Sequence, residues 1–232
     1  MAPSLSIVVP ALDEAPIIAA ALERLQPIRS KGVELIVADG GSGDATAELA
    51  RPLADRVLVA SRGRASQMNA GARLARGEVL LFLHADTTLP PGGAEAALEG
   101  LEALGRAWGR FDVTIAGNDP LLAVVAFFMN LRSRLTGIAT GDQAIFVRRE
   151  AFERAGGYPE IPLMEDLALA KALKRISRPL CLRERVLTSG RRWEKRGTLA
   201  TVWLMWRLRL AYFLGADPRR LARRYDGERT AP

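Results

Sequence analysis

Hydrophobic side chains crowd into three short runs that share one layout. Ser6-Ile7-Val8-Val9 stops at Pro10-Ala11-Leu12-Asp13-Glu14, Val33–Ala38 stops at Asp39-Gly40-Gly41-Ser42, and Val79–Leu83 stops at His84-Ala85-Asp86. Apolar runs of this length suit strands buried on both faces of a parallel sheet. Between them the apolar period becomes helical. Residues 15–30 carry Ile17, Ile18, Ala21, Leu22 and Leu25 at helical spacing, and residues 44–53 follow a glycine-rich turn. Residues 65–75 end at the Arg76-Gly77 break, and Pro90-Pro91-Gly92-Gly93 opens a helix to Leu104. Val57-Leu58-Val59 adds a short strand. This alternation predicts an α/β fold: a mostly parallel, Rossmann-like sheet flanked by helices.

The pattern changes after residue 105. Trp108–Ile115 alternates with Phe111, Val113 and Ile115 on one face, as an antiparallel-type strand does. The spacing then predicts an apolar helix over 120–135, a strand over 143–147, short helices over 149–154 and 166–174, and a strand over 180–185. A helix over 198–214 and a basic tail close the chain. The expected units are residues 1–104, residues 105–196 and a C-terminal helical extension over 197–232.

A chain of 232 residues with 49% hydrophobic residues can bury a full core, and a charged share of 25% argues against gross disorder. The formal net charge of +7, carried almost wholly by arginine, suits phosphate ligands, an anionic membrane surface or nucleic acid. An arginine-rich proteome gives the same balance. With no zinc finger or aromatic RNA motif, nucleic acid is not an expected partner. Cys181 is the single cysteine, which excludes an intrachain disulfide and a cysteine-held zinc. The N-terminal residues form no apolar signal core, so the expected location is cytoplasmic. Leu121–Met129 is much shorter than the roughly 20 residues of a membrane span, and Arg207 and Arg209 interrupt residues 198–216.

Ligands of an open α/β sheet sit beyond the carboxyl ends of its strands, and all three apolar runs deliver acids there. Such acids suit a ribose, a base edge or a phosphate-bridging metal, so a nucleotide is the expected ligand. Taken in order, Ser6–Glu14, Val37–Thr46, Gly63–Gly71, His84-Ala85-Asp86, Glu165-Asp166 and Arg191-Arg192-Trp193 resemble the motifs of a family 2 glycosyltransferase with the A-type nucleotide-sugar-binding fold. The resemblance covers residues 4 to about 195. More narrowly, Leu83–Thr87 and the Arg-Arg-Trp element look like those of small bacterial members found beside radical-enzyme and selenium-metabolism genes.

The resemblance implies an inverting transfer of a sugar from a nucleoside diphosphate donor, UDP foremost, to an acceptor it does not identify. It implies that Pro10, Ala11, Leu12, Asp13 and Glu14 border the nucleoside, although acids also favour a helix N-terminus. Asp39 and Gly40 would meet the base or ribose, unless Asp39 only binds its own turn. Arg64 and Asn69 would reach the pyrophosphate and the base or sugar, or serve as a solvated arginine and a cap. His84-Ala85-Asp86 stands where the fold carries its metal motif. Asp86 is the implied ligand of a divalent cation, Mn2+ or Mg2+, with Ala85 beside the donor. His84 departs from the usual acid. It could be a second ligand, a phosphate donor or a packed neighbour, since imidazole suits manganese better than magnesium. Asp166 is the implied catalytic base, with Glu165 positioning it or the acceptor. Asp142 and Gln143 would contact sugar or acceptor. Arg191, Arg192 and Trp193 look like a mobile loop that closes over the diphosphate.

The last helix, with Trp203, Leu204, Met205, Trp206, Leu208 and Leu210, has little room for a polar face. Peripheral membrane contact beside Arg219, Arg220, Arg223 and Arg224 is one reading, and suits a lipid-linked acceptor. A helix on the body or in a homodimer interface is the other. Two further functions remain open. A nucleotidyltransferase lacks support because its glycine-rich N-terminal loop with a phosphate-binding lysine is missing. A nucleotide-sugar-binding protein without catalysis would explain a histidine in place of the first metal acid.

Overall fold

The computed structural model describes residues 3–227. Eight strands form one sheet: β1 (Leu5–Ala11), β2 (Glu34–Asp39), β3 (Arg56–Val59), β4 (Val79–Phe82), β5 (Thr87–Thr88), β6 (Trp108–Ala116), β7 (Phe146–Arg148) and β8 (Leu180–Ser189). The helices are α1 (Ala15–Glu23), α2 (Gln26–Arg29), α3 (Thr46–Ala50), α4 (Arg64–Leu74), α5 (Gly93–Ala103), α6 (Leu121–Thr136), α7 (Arg149–Arg154), α8 (Glu165–Leu173), α9 (Arg191–Arg196), α10 (Thr198–Phe213) and α11 (Pro218–Gly227).

Strand order is β3-β2-β1-β4-β7-β6-β8-β5. The chain runs outward from β1 through β2 to β3, then returns to place β4 on the other side of β1, and these four strands are parallel. The reversal between β1 and β4 is a topological switch point, and the carboxyl ends there open a crevice. Beyond β4 the sheet becomes mixed, with β7 antiparallel to both β4 and β6.

β1 is buried along its whole length because both faces are covered. Leu5, Ile7, Val9 and Ala11 enter one core with α1 and α5, while Val8 enters a second core with Met68 and Ala72 of α4. Each such aliphatic side chain contributes about 1.5–3 kcal/mol of burial, which fixes the strand's register against both helical layers.

Several elements differ from the sequence expectation. Residues 15–30 form two helices because Pro27 lacks an amide hydrogen and its ring crowds the preceding turn. The helix expected over 44–53 is only α3: the Asp44 carboxylate accepts the Ala15 and Thr46 amides, holding residue 44 as a loop clamp. β6 is antiparallel to β7 over two residues but parallel to β8 along most of its length, since side-chain alternation reports burial and not partner direction. Gly141–Gln143 is a short 3-10 turn and not the start of a strand, because the Gln143 amide donates to the Thr140 carbonyl at 2.9 Å and the Thr140 amide donates to Gln143 Oε1 at 3.3 Å. Arg191–Trp193 opens helix α9, and the basic tail is helical as α11.

Leu204 and Leu208 of α10 and Leu221, Ala222 and Tyr225 of α11 form a third core against Leu163, Met164 and Leu167. The inner face of α10 therefore rests on the body, while Trp203, Trp206, Leu210 and Phe213 stay exposed. No helix among the described residues is long and apolar enough to cross a membrane.

Candidate active site

At the ends of β1 and β2 two loops are stitched together. Asp13 adopts φ of 53° and accepts the Gly43 amide at 2.8 Å, while its own amide donates to Ser42 Oγ at 2.9 Å. The Glu14 amide donates to Thr46 Oγ1 at 2.8 Å. Asp39 accepts the Gly41 and Ser42 amides, each at 2.9 Å, and the Ser42 hydroxyl. It is buried, so the turn takes up most of its hydrogen-bonding capacity. Gln67, which sequence reasoning did not single out, supports this floor. Its amide donates to the carbonyls of Ala11 at 2.6 Å and Ala38 at 2.9 Å, directly below Gly40. Its only sequence signal was a polar residue on the inward face of α4.

Beyond β4 the chain carries His84 and Asp86 to different partners. The His84 ring lies against Gly141, where any Cβ would come within 2.7 Å of Cε1, and its Nδ1 is 3.5 Å from Asp142 Oδ1. Asp86 instead faces Glu14. One nitrogen of Arg191, Nη2, stands 3.6 Å from Glu14 Oε2 and 3.9 Å from Asp86 Oδ2. Pairing of β5 with β8 brings these groups together, since Thr87 lies opposite Thr188 and the Ser189 amide donates to the Asp86 carbonyl. Burial pushes the Glu14 carboxyl above its usual range; Arg191 opposes this and Asp86 adds to it.

Two carboxylates sharing one guanidinium form a donor set of the kind that takes a hard divalent cation. They supply two protein ligands, which fits a cation that completes its shell with phosphate oxygens and water. Among the described residues, no three histidine, cysteine, aspartate or glutamate side chains group closely enough to hold a metal by themselves. His84 is turned toward Asp142 and away from this pair.

The other acidic pair opens α8. Glu165 is only 5% exposed and lies 3.6 Å from Arg64 Nη1. Burial, then the neighbouring Asp166 charge, push its carboxyl upward against the pull of Arg64. Asp166 accepts the Gly141 amide at 2.8 Å and the Leu167 amide at 2.7 Å. Met164, just before the pair, has φ of 71°, and Ala144, just after Gln143, has φ of 45°. Backbone strain of order 1–3 kcal/mol per residue thus gathers around the acids, as it does at working sites.

Some candidates turn inward. Asn69 Nδ2 donates to the Tyr158 carbonyl at 2.8 Å and Asn69 Oδ1 accepts the Tyr158 amide at 2.9 Å, so it clamps the loop before α8. Gln143 is fully buried and donates to Ser133 Oγ at 3.0 Å. Asp142 beside it is open to the cavity. Trp193 packs on the core beside the cavity, and the Arg192 side chain lies outside the described residues. A single groove of about 2030 Å³ begins at Glu14, Asp86, Asp142 and Arg191 and continues between α6 and α10. Arg132 and Arg209 line it, and sequence reasoning gave neither a place in the site.

A parallel switch-point sheet with paired acids at its carboxyl edge, followed by a mixed half carrying a third acidic motif, defines a nucleotide-sugar-binding architecture of the A type. The model of Glycosyl transferase family 2 matches residues 6–156, more than half of the chain, and the protein belongs to that family. A "PGL/p-HBAD biosynthesis glycosyltransferase" of Mycobacterium bovis is 36% identical over 95 residues, which are 38% of this chain and 37% of that protein. The chain thus spans well under two thirds of that curated relative. The mannosyltransferase PcManGT of Pyrobaculum calidifontis, solved with GDP-Man and Mn2+, superposes with a TM-score of 0.61 at 22% identity over 91% of this chain and 61% of that one. TarS 1–349 of S. aureus, solved with UDP-GlcNAc, gives 0.65 at 18% identity over 80% and 58%. At such identities the likeness is one of fold.

Proposed function

We propose that the protein is an inverting glycosyltransferase that moves a sugar from a nucleoside diphosphate donor, UDP foremost, to an acceptor hydroxyl. The observation that carries this reading is the approach of two acidic sites to one groove: Glu14 and Asp86 at its mouth, and Asp166 hydrogen-bonded to Gly141, next to the lining Asp142. Residues 1–104 form the donor half and residues 105–196 the acceptor half. Asp166 takes the proton as the acceptor oxygen bonds to the anomeric carbon, and the bond from that carbon to the diphosphate oxygen breaks on the opposite face. The two amides donated to Asp166 hold the carboxylate in place during this transfer. Glu165 and Arg64 brace it from below, and Arg191 neutralises departing diphosphate charge.

Asp86, with Glu14 across from it, would hold Mn2+ or Mg2+, which when bound supplies charge neutralisation at the diphosphate. The fold relatives solved with UDP-GlcNAc and with GDP-Man and Mn2+ support a nucleotide-sugar donor and a divalent ion. The loop Asp39–Gly43 and the Asp13–Glu14 segment border the nucleoside. A cytoplasmic location and kinship with the subgroup found beside selenium-metabolism genes belong to the same reading.

Thermal stabilisation by UDP, GDP and their sugars, with and without Mn2+ or Mg2+, tests it. UDP should raise the melting temperature, metal should enlarge the rise, and Asp86→Asn should remove the metal increment. No shift with any nucleotide from a folded sample would overturn the reading.

A further inference from the structure

The groove leaves the acidic mouth and runs between two helices whose facing sides are apolar and open to solvent. Val124, Phe128 and Leu135 of α6 and Trp206, Leu210 and Phe213 of α10 line it. Leu135 is 77% exposed and Trp206 69%. An apolar channel of this size beside charged residues is unusual on a soluble surface and marks a ligand or membrane contact. Its inner end carries Arg132 and Arg209. Arg132 Nε and Nη2 and Arg209 Nε are buried yet find no hydrogen-bond partner among the described residues. Burial, and then the Arg209 charge, bring Arg132 down to about 10, so its guanidinium stays charged at neutral pH. Burial lowers Arg209 as well. Buried guanidinium N–H groups without an acceptor cost free energy until one meets them, and an anion is the strongest acceptor.

Resting on the glycosyltransferase reading, we propose that the acceptor is a phospholipid-type amphiphile: its hydrocarbon chains lie between α6 and α10, Arg132 and Arg209 bind its phosphate, and its head-group hydroxyl points toward Asp166. The spatial order supports each part. Asp166 lies within electrostatic reach of both arginines, which sets the proposed base on the same side of the groove as the proposed phosphate site. A small soluble acceptor would leave the apolar walls without purpose. A second copy of this chain would set two equally basic grooves face to face across a two-fold axis, leaving the arginines without anions.

Dioctanoyl-phosphatidylglycerol, used below its micellar concentration, carries both features. Dioctanoylglycerol lacks the phosphate and glycerol 3-phosphate lacks the chains. Binding is read by tryptophan fluorescence and calorimetry, without nucleotide. The full probe should bind at least tenfold tighter than either fragment. Arg132→Gln and Arg209→Gln should each weaken it about tenfold, leaving weak dioctanoylglycerol binding unchanged. Leu135→Asp, folded by circular dichroism, should lose the full probe. Equal binding of either fragment, indifference to both arginine variants, or a dimer by sedimentation that excludes the probe would each overturn the proposal. UDP thermal shifts on the same samples separate this from the donor reading: absent lipid binding with intact UDP binding sinks only the acceptor, and the reverse sinks the transferase and with it the acceptor role, leaving only a lipid-binding groove.

Discussion

The sheet around β1 and the face between α6 and α10 handle polar groups in opposite ways. Around β1 the buried polar side chains Ser6 and Glu34 are paired. Glu34 is buried but accepts the Ser6 hydroxyl at 2.6 Å and the Arg76 amide at 2.7 Å, and Ser6 in turn accepts the Gly77 amide at 2.8 Å. Between α6 and α10, buried N–H groups of Arg132 and Arg209 find no hydrogen-bond partner among the described residues, while aliphatic and aromatic side chains face outward. The first region is complete in itself and serves as a frame. The second leaves buried donors unsatisfied, as the proposed receiving surface would before its ligand binds.

That contrast can be broken at several points. The largest effect is expected at the chemistry: Asp166→Asn should lower kcat by about 10²–10⁴-fold in a folded protein whose UDP affinity holds, measured by product formation and calorimetry. Next is the frame, where Ile7→Ala should cost about 2–5 kcal/mol in urea unfolding, because β1 is closed on both faces. Asp39→Ala should cost about 1–3 kcal/mol and weaken nucleotide binding together, since the carboxylate ties the turn proposed to border the nucleoside.

Glu165 gives a smaller, pH-dependent effect. Its raised value means the folded state holds the proton more tightly than the unfolded chain. Stability contributed by this group is therefore full below the ordinary carboxylate range and declines as pH rises through the raised value. Glu165→Gln should flatten that part of the stability profile, read from unfolding midpoints across the acid range. The smallest effect is at the open face: Phe128→Ser should change stability by no more than about 0.5 kcal/mol, because more than half of the residue is already in solvent. A large loss there would mean that the face is part of the frame and not a receiving surface.

The region around β1, β2 and β4 was legible from local pattern because its strands are buried on both faces, so apolar runs, turn glycines and terminal acids coincide in sequence. Gln67 escaped notice since its hydrogen bonds reach Ala11 and Ala38, residues far away in the chain. Asn69 and Gln143 read as ligand contacts from motif position, yet their amides face Tyr158 and Ser133. The split of His84 from Asp86 was equally hidden: a two-residue spacing gives a shared side only in an extended segment, and here the chain turns at His84, whose carbonyl accepts the Thr87 amide.

The sequence by itself determined the α/β alternation, the acids at the strand ends and the membership those motifs imply, because each depends on residues close together in the chain. Only the tertiary structure decided that Arg191 bridges Glu14 and Asp86, and that Arg132 and Arg209 meet in one apolar groove. Those pairings join residues separated by many turns of chain, and long-range packing, which no local period encodes, sets the distances between them.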